Sequence, residues 1–292
     1  MIGATGQQGG ATARALLERG AAVHVLVRDA GSPAALALRS AGAELVVGDL
    51  DDPASLEAAM SAVHGVFLVL TMMTGPRVTP EGVTAEERRG KAVADAAARS
   101  GVAHLVYSSV VGADRHTGIP HLESKGRIEE HIRSLGLRAT FLRPVFFMDN
   151  FGSFTRPVVN AGKVTVSLAL RPQTRLSVIA VGDIGAFAAI AFDRPGEFIG
   201  RQIEIAGDDL TGPEIAAAFG RSCGLPGRFA QVPIEQLRAF DPEVARMFEW
   251  LDAHPGAGPD LAALRVLHPG LMTLDDWLRE SAWKPAEPAG AG

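Results

Sequence analysis

Met1-Ile-Gly-Ala-Thr-Gly-Gln-Gln-Gly9 opens the chain and places glycines at positions 3, 6 and 9, directly before a run with the apolar spacing of a helix. An apolar stretch, Val23-His-Val-Leu-Val27, comes next. This order of turn, helix and strand is how a dinucleotide-binding fold continues after its first strand. In such a turn Gly3 permits the tight bend, Gly6 lets the backbone approach a pyrophosphate, and Gly9 lets the helix pack closely on the sheet. The sequence therefore predicts phosphate binding at the N-terminus of that helix.

Helix-like and strand-like stretches continue to alternate through the first half of the chain. Predicted helices cover 33–40, 53–63, 85–100 and 122–135, and predicted strands cover 43–47, 65–71, 102–109 and 138–144. The strand-like stretches are continuously apolar, which is typical of strands covered on both faces. Because strands that alternate with helices form parallel sheets, the sequence predicts a doubly wound α/β fold of the Rossmann type.

Only Met1 and Ile2 precede the glycine turn, where the first strand of such a fold should lie. That strand occupies the middle of the sheet, so its loss would remove two ladders of hydrogen bonds and part of the core. We therefore expect a truncated first strand, and a natural protein that begins several residues upstream with an apolar strand.

Composition limits the class of protein. A chain of 292 residues can bury a full core, and one large domain with a smaller lobe is expected. The net charge of −5, without a cluster of Lys or Arg, gives no sign of a nucleic-acid-binding face. A single cysteine, Cys223, excludes an internal disulfide and a cysteine-based metal site. No apolar run approaches the roughly 18 residues of a membrane span and no export signal opens the chain, so we expect a cytoplasmic protein without membrane contact.

Further motifs are spread along nearly the whole chain. They are Val27-Arg-Asp29, Gly48-Asp49, His121-Leu-Glu-Ser-Lys-Gly-Arg-Ile-Glu-Glu-His131, Arg143-Pro-Val-Phe-Phe-Met-Asp-Asn150, Ser177-Val-Ile-Ala-Val-Gly-Asp-Ile-Gly185 and Met272-Thr-Leu-Asp-Asp-Trp-Leu278. With the glycine turn, these motifs resemble the NmrA-like family, an atypical branch of the short-chain dehydrogenase/reductase superfamily. The segment 121–150 is more similar to the NADP(H)-sensing members of eukaryotes than to the plant aryl-ether reductases.

The resemblance also implies how the chain is divided. Residues 1–150, with a returning segment 176–207, would form an NADP(H)-binding Rossmann domain. Residues 151–175 and 208–284 would form a smaller α/β lobe for a substrate or partner, followed by a disordered tail over 285–292.

Two charged residues after the second strand bear on the choice between NADP and NAD. An acidic side chain about 20 residues past the glycines takes the ribose 2′-OH in NAD binders, whereas arginine accommodates a 2′-phosphate. Both types are present, as Arg28 and Asp29, and neighbours in an extended segment point to opposite sides. The family pattern places arginine first after the strand, which favours Arg28 and NADP(H). The alternative is a solvated charge pair in a loop.

The resemblance implies further contacts with the cofactor. Asp49 and Leu50 would lie against the adenine, Thr71 to Met73 along the inner path of the nucleotide, and Phe147 to Asn150 in a loop over the nicotinamide. Asp49 could equally begin a turn or cap the following helix, and the apolar residues of the loop could equally be core. The implied cofactor-binding residues are Gly3, Ala4, Thr5, Gly6, Gln7, Gln8, Gly9, Arg28, Asp49, Leu50, Thr71, Met72, Lys125, Phe147, Met148, Asp149 and Asn150.

The candidate catalytic residues are Ser109 (beside Ser108), His121 and Lys125. Short-chain dehydrogenases use a Tyr-x-x-x-Lys pair on one helix face, in which the lysine lowers the pKa of the tyrosine so that the phenol can exchange a proton with the substrate. Here the tyrosine position is His121, and the chain's one tyrosine, Tyr107, lies in the fifth predicted strand. This departure argues against ordinary carbonyl reduction.

Three interpretations of this pair remain open. Lys125 holds the nicotinamide ribose hydroxyls while His121 is a wall residue, or His121 acts as the acid, or Lys125 itself assists the reaction. A neighbouring Lys⁺ would push the pKa of a histidine below its usual value near 6.5 and leave the ring neutral. His116, His121 and His131 lack a nearby carboxylate spacing that would complete a zinc site, so no metal is predicted.

Two functions of different class follow from these observations. The altered tyrosine position favours a sensor or regulator that binds NADP(H), responds through a protein partner, and turns over little or nothing. Lys125 and the apolar loop leave open an NADPH-dependent oxidoreductase that acts on a quinone, an enone or a similar small electrophile. Fold alone supports neither, because function resides in the site.

Overall fold

A computed structural model describes residues 1–254, 256 and 258–286, so most of the predicted tail, from 287 onward, lies outside the described residues. The helices are α1 Gln7–Glu18, α2 Pro33–Ser40, α3 Pro53–Met60, α4 Pro80–Arg99, α5 Pro120–Ser134, α6 Val181–Asp193, α7 Pro195–Phe198, α8 Gly212–Cys223, α9 Ile234–Phe240, α10 Pro242–Ala253, α11 Leu261–Leu267 and α12 Leu274–Glu280, with a 3-10 helix over Met148–Gly152. The strands are β1 His24–Val27, β2 Glu44–Val47, β3 Gly65–Leu68, β4 Met73–Thr74, β5 Arg77–Val78, β6 His104–Ser108, β7 Ala139–Pro144, β8 Phe146–Phe147, β9 Val158–Asn160, β10 Lys163–Leu168, β11 Arg175–Ile179, β12 Gln202–Ile205, β13 Asp208–Thr211 and β14 Gly227–Gln231.

The chain divides into two compact units. The first consists of Met1–Pro144 and Ile184–Glu204, and the second of Val145–Asp183 and the chain from Ile205 onward. The first unit closes at Pro144, ahead of the expected boundary at 150, because β8 pairs in parallel with β11 and belongs to a sheet of the second unit.

Parallel strands with helices on both faces make up the first unit. One sheet has the order β12-β7-β6-β3, with β6 parallel to both β3 and β7, and β1 pairs in parallel with β2. Met1 and Ile2 lie between the β1–β2 pair and the four-stranded sheet. The Leu26 N–H of β1 donates to the Met1 carbonyl at 3.0 Å, and the Ile2 N–H donates to the Phe67 carbonyl of β3 at 2.9 Å. The strand order that results is the doubly wound one, and the prediction of a Rossmann-type α/β fold is confirmed.

Apolar clusters on either side hold this sheet. One cluster joins α3, α4 and α5 to β3, β6 and β7, and another joins α1 and α2 to β1 and to Ala189 of α6. Helix α4 begins at Pro80 rather than at the predicted Ala85. Thr79 caps it by accepting a hydrogen bond from the Gly82 N–H at 3.1 Å, and Pro80 stands at the first helical position, where its missing N–H costs nothing.

The second unit is a smaller α/β lobe. Its sheets have the orders β14-β10-β9 and β13-β11-β8, and β10 runs parallel to β14 but antiparallel to β9. Phe151, Phe219 and Trp277 are buried in its core. Helices α8 and α12 each begin with a capping box, formed by Thr211 with Glu214 and by Thr273 with Asp276. Of the helices that the structure describes, none combines the length and the apolar character that crossing a membrane requires.

Candidate functional site

The three glycines of the opening turn have different surroundings. Gly3 has a φ of +75°, and a Cβ there would stand 2.5 Å from the carbonyl oxygen of Val69, so the turn needs glycine. A Cβ on Gly9 would overlap the backbone of Gly3 and come within 2.8 Å of the Cα of Ala4. A Cβ on Gly6 would meet only the Gly3 carbonyl, at 3.4 Å, and otherwise point into open space. Gly3 and Gly9 thus serve the protein's own packing, and Gly6 leaves room for something else.

Helix α1 presents unused hydrogen-bond donors beside Gly6. Gly6 is its N-cap and supplies no side-chain hydrogen bond. The backbone N–H groups of Gln7, Gln8 and Gly9 have no acceptor in the part of the chain that the structure describes. Such donors at the positive end of a helix, beside a residue without a Cβ, fit the pyrophosphate of a dinucleotide.

At the end of β1 the structure separates the two charged candidates. The Asp29 carboxylate accepts the Gly31 N–H at 2.8 Å, and its carbonyl accepts the Ser32 hydroxyl at 3.0 Å, so Asp29 forms the turn before α2. Arg28 is exposed and makes no ion pair with any described residue. Arg28 is therefore the side chain that remains available to a ligand at this sheet edge.

The predicted adenine contacts follow β2 and β3. Asp49 is exposed, and its Oδ1 accepts the Asp51 N–H at 2.9 Å, which is the turn-forming role considered for it. Leu50 is half-buried. Thr71 is exposed with its hydroxyl accepting the Met73 N–H at 3.1 Å, and Met72 is half-buried. These side chains lie at the carboxyl ends of parallel strands, where ligands of doubly wound sheets bind.

Two consecutive serines at the end of β6 have different environments. The Ser108 hydroxyl donates to Oε1 of Gln8 on α1 at 2.6 Å. Side chains alternate along a strand, so Ser109 points to the side of Tyr107, which packs among residues of α4 and α5. The Ser109 hydroxyl is buried and has no hydrogen-bond partner among the described residues. Ser109, rather than Ser108, therefore lies on the side of the sheet that carries α5.

Helix α5 buries both residues of the altered dyad. His121 and Lys125 are 3% and 7% exposed. The ammonium of Lys125 lies 2.6 Å from Oε1 of Glu86, a residue of α4 that is 1% exposed. The other oxygen of that carboxylate accepts the Ser124 hydroxyl at 3.1 Å. Sequence reasoning missed Glu86, although its position on the buried stripe of α4, three residues after Val83 and four before Gly90, was a visible signal.

Tyr107 does not replace the missing phenol. Its side chain is fully buried in the core between the sheet and α4 and α5, and its hydroxyl finds no hydrogen-bond partner among the described residues. Burial raises the pKa of Tyr107 well above its usual value, and the nearby carboxylates of Glu86 and Glu129 raise it further. The phenol therefore stays protonated and away from solvent, where it cannot exchange protons with a ligand.

A second ion-pair network, centred on the buried Arg143 and Glu129, fixes the loop between β6 and α5. Arg143 of β7 binds Glu129 of α5 at 2.7 Å and Asp114 of the loop at 2.6 Å. Burial acts to lower the pKa of Arg143, but the hydrogen bonds to both carboxylates outweigh it and raise the pKa above its usual value. Arg115 binds Glu204 at 2.6 Å from the same loop. The chain entering α5 is thus held at two consecutive residues.

The loop predicted to contact the nicotinamide lies in the second unit and has mixed character. Met148 is fully buried in the core of that unit. Asp149 accepts the Val181 N–H at 2.8 Å and so caps α6. Phe147 and Asn150 are half-buried. The Met148 side chain is therefore a core residue, and the other three retain exposed surface.

Comparison with known proteins agrees with the fold. The NAD(P)H azoreductase of Xenophilus azovorans is 29% identical over 82% of this chain and 78% of its own length. The (4-alkanoyl-5-oxo-2,5-dihydrofuran-3-yl)methyl phosphate reductase of Streptomyces griseus is 32% identical over 85% of this chain and 83% of its own. The crystal structure of NmrA, a negative transcriptional regulator, in complex with NADP superposes with a TM-score of 0.78 at 21% identity, over 96% of this chain and 93% of that one. A profile of the NmrA-like family matches residues 1–278. The resemblance inferred from the sequence motifs is confirmed, and the chain belongs to the NmrA-like family.

Proposed function

We propose that this protein binds NADP(H) and reduces a conjugated electrophile such as a quinone, an enone or a related acceptor. The observation that carries the proposal is the combination, in one unit, of a glycine turn with free N–H donors and a site without a phenol to donate a proton. His121 takes the tyrosine position, and Tyr107 is fully buried in the core. The names of two relatives support it, because one is an azoreductase and the other a reductase of a 5-oxo-2,5-dihydrofuran.

The chain's own residues divide the work of holding the dinucleotide. The N–H groups from Gln7 to Gly9 would bind the pyrophosphate, with Gly6 giving it room. Arg28 would pair with a 2′-phosphate, since a guanidinium forms two parallel hydrogen bonds to such a group. Lys125 would bind the ribose next to the nicotinamide. NADPH, when bound, supplies a hydride from its nicotinamide ring.

A conjugated acceptor suits a site without a phenol. Hydride addition to the electrophilic carbon forms a C–H bond, and the electron pair displaced from the double bond spreads onto a conjugated oxygen. Water can protonate that delocalised anion, so the acceptor gains two electrons and two hydrogens without an acid from the protein. An ordinary ketone instead develops a localised alkoxide, for which a positioned acid is worth roughly 10²–10⁴-fold in rate.

The second candidate is a sensor of the NADP(H) pool, the function that the sequence favours. The observation in its support is the ion pair of Lys125 with Glu86, which fits a lysine that holds a bound dinucleotide and takes no part in proton transfer. A sensor would bind the dinucleotide through the same residues and pass the signal to a protein partner.

Steady-state oxidation of NADPH separates the two functions. The panel is a quinone, a dihydrofuranone, an azo compound, and a simple aldehyde and ketone. We expect turnover with the conjugated acceptors and little with the carbonyls. Gly6→Val, which fills the space beside α1, should abolish turnover and thereby show that it depends on the proposed site. NADPH binding without turnover of any acceptor would remove the reductase proposal in favour of the sensor.

A further inference from the structure

Lys125 has a buried partner, Glu86, whose role the proposed function leaves unexplained. We propose that Glu86 is a positioning residue for Lys125: it holds the ammonium charged and oriented, so that the two remaining N–H donors can bind the hydroxyls of a nicotinamide ribose. The inference rests on the proposed NADP(H) site and concerns that same site.

Both oxygens of the Glu86 carboxylate are held by α5. Oε1 lies 2.6 Å from Nζ of Lys125, and Oε2 accepts the Ser124 hydroxyl at 3.1 Å. Rotation of the carboxylate would break one of these bonds, so its direction is fixed. An ammonium has three N–H donors, and Glu86 is the one acceptor that Lys125 has within the described chain. Two donors are left, which matches the two hydroxyls of a ribose.

Other titratable groups near Lys125 do not supply the same charge. On α5 itself, His121 and Glu129 stand one turn before and one turn after it. Glu129 is already bound to two arginines. Tyr107, on β6, faces α4 and α5 and stays protonated because burial raises its pKa. The negative charge next to Lys125 therefore comes from Glu86 on α4.

Glu86 matters because an isolated buried lysine loses its proton easily. Burial disfavours the charged form of lysine, and an opposite charge at hydrogen-bond distance restores it. Removing one member of a buried pair leaves the other charge uncompensated. A neutral amine has a lone pair in place of one donor and forms weaker hydrogen bonds to hydroxyls than an ammonium does. NADPH affinity should therefore become pH-dependent when Glu86 loses its charge.

The test is the dissociation constant for NADPH measured by fluorescence from about pH 6 to about pH 9. For the wild type we expect a constant that changes less than threefold across this range. For Glu86→Gln, which keeps the shape of the side chain, we expect near wild-type affinity at the acid end and at least a tenfold loss at the alkaline end. Lys125→Gln should bind weakly at every pH. Glu87→Gln is the matched control, because Glu87 is the next residue of α4 and pairs with Lys91 and Arg127 instead.

A purely structural role for Glu86 gives a different result. Glu86→Gln would then lower the melting temperature and weaken NADPH binding equally at every pH, and that outcome overturns the proposal. The chain has only four lysines, so the Cε resonance of ¹³C-labelled Lys125 can be assigned by substitution. If Glu86→Gln does not fold, a wild-type Lys125 that titrates below about pH 9 overturns the proposal equally.

The role of Glu86 and the proposed reductase activity can be refuted separately. Binding that follows the expected pH pattern without turnover of any acceptor would sustain the role of Glu86 and leave the protein a sensor. Absence of NADPH binding by the wild type at every pH would overturn both.

Discussion

The Ser108 hydroxyl donates a hydrogen bond to the side-chain carbonyl of Gln8 over 2.6 Å, which joins the carboxyl end of β6 to the first turn of α1. The bond holds the side chain of Gln8 against the carboxyl end of that strand. The hydroxyl proton of Ser108 is therefore already donated within the protein. Of the two serines in this strand end, Ser109 keeps an unused hydroxyl on the side of α5, which supports the choice of Ser109 as the candidate catalytic serine.

We expect Gly6→Ala and Gly9→Ala to separate binding from folding. At Gly6 the added methyl group has space in the protein and would stand where a pyrophosphate lies, so NADPH affinity should fall at least tenfold, about 1.4 kcal/mol, with little change in stability. At Gly9 the methyl group would overlap the backbone of Gly3, so overpacking should cost about 1–3 kcal/mol of folding free energy without any ligand. Calorimetry and urea unfolding measure the two quantities. Similar effects of both substitutions on stability would contradict the assignment.

Arg28→Ala should remove a preference for NADP(H) over NAD(H). In the wild type we expect NADPH to bind at least tenfold more tightly than NADH, a gap of about 1.4 kcal/mol, because Arg28 has no carboxylate partner in the described chain and can pair with the 2′-phosphate. The variant should lose affinity for NADPH and retain that for NADH. Arg39→Ala, an exposed arginine in the last turn of α2, is the control and should leave both unchanged. Equal affinities of the wild type for the two dinucleotides would refute the role of Arg28.

The wild type should reduce simple aldehydes and ketones poorly, and His121→Tyr should not make it a good carbonyl reductase. The substitution restores a phenol four residues before Lys125, but a carbonyl substrate must also be oriented within about half an ångström of the productive geometry. NADPH oxidation by wild type, His121→Tyr and His121→Phe tests this, with His131→Phe as a control on the same helix. Fast wild-type carbonyl reduction that collapses in His121→Phe would show that the histidine is a working acid.

The free energy of unfolding should fall as the pH drops from about 6.5 to about 4, because His104 is buried as a neutral ring. The Thr140 hydroxyl donates to the Phe198 carbonyl at 2.7 Å, so it accepts from Nε2 of His104 at 2.9 Å, and Nδ1 is left without a partner in the described chain. Burial lowers the pKa of His104 from 6.5 to about 4, with smaller contributions from Arg138 and His64. Between these values the unfolded chain binds more protons than the folded one, so acid favours unfolding.

Between pH 6.5 and pH 4 the loss of folding free energy should be on the order of 2 kcal/mol. His104→Gln should abolish most of this loss, because an amide does not titrate. Urea unfolding at several pH values measures it. Carboxylates act at lower pH: hydrogen bonds from Thr273 hold the pKa of Asp276 at about 2. A wild-type stability that is flat between pH 6.5 and 4 would rule out the neutral, buried state of His104.

Local signals predicted much of the fold. Helix α2 has the predicted bounds, 33–40, because Ser32 caps it and Pro33 starts it. Strands came out shorter than their apolar runs: β3 ends at Leu68, although the run continues to 70, because buried side chains extend past the hydrogen-bonded ladder. Periodicity reports burial, and burial and strand pairing do not end at the same residue.

The site was predictable where it depends on backbone and not where it depends on packing between helices. The glycine spacing indicates a turn whatever residues lie between the glycines. The tight bend at Gly3 and the close packing at Gly9 were therefore predictable, and the pyrophosphate contact at Gly6 stays a prediction. The partnership of Glu86 with Lys125 spans 39 residues and exists only because α4 packs on α5. Motif spacing along α5 could show the lysine and the altered tyrosine position, but not the carboxylate that pairs with the lysine.

Helix α6 depends for its first hydrogen bond on Asp149, which belongs to the 3-10 helix over 148–152 and accepts the Val181 N–H at 2.8 Å. A helix start that is closed by a carboxylate from elsewhere in the chain frays when that carboxylate moves away. A movement of the 147–150 loop that breaks this hydrogen bond would therefore expose the Val181 amide to solvent. Deuterium exchange in a peptide that contains Val181, followed by mass spectrometry, would therefore report on the loop without an assay of activity.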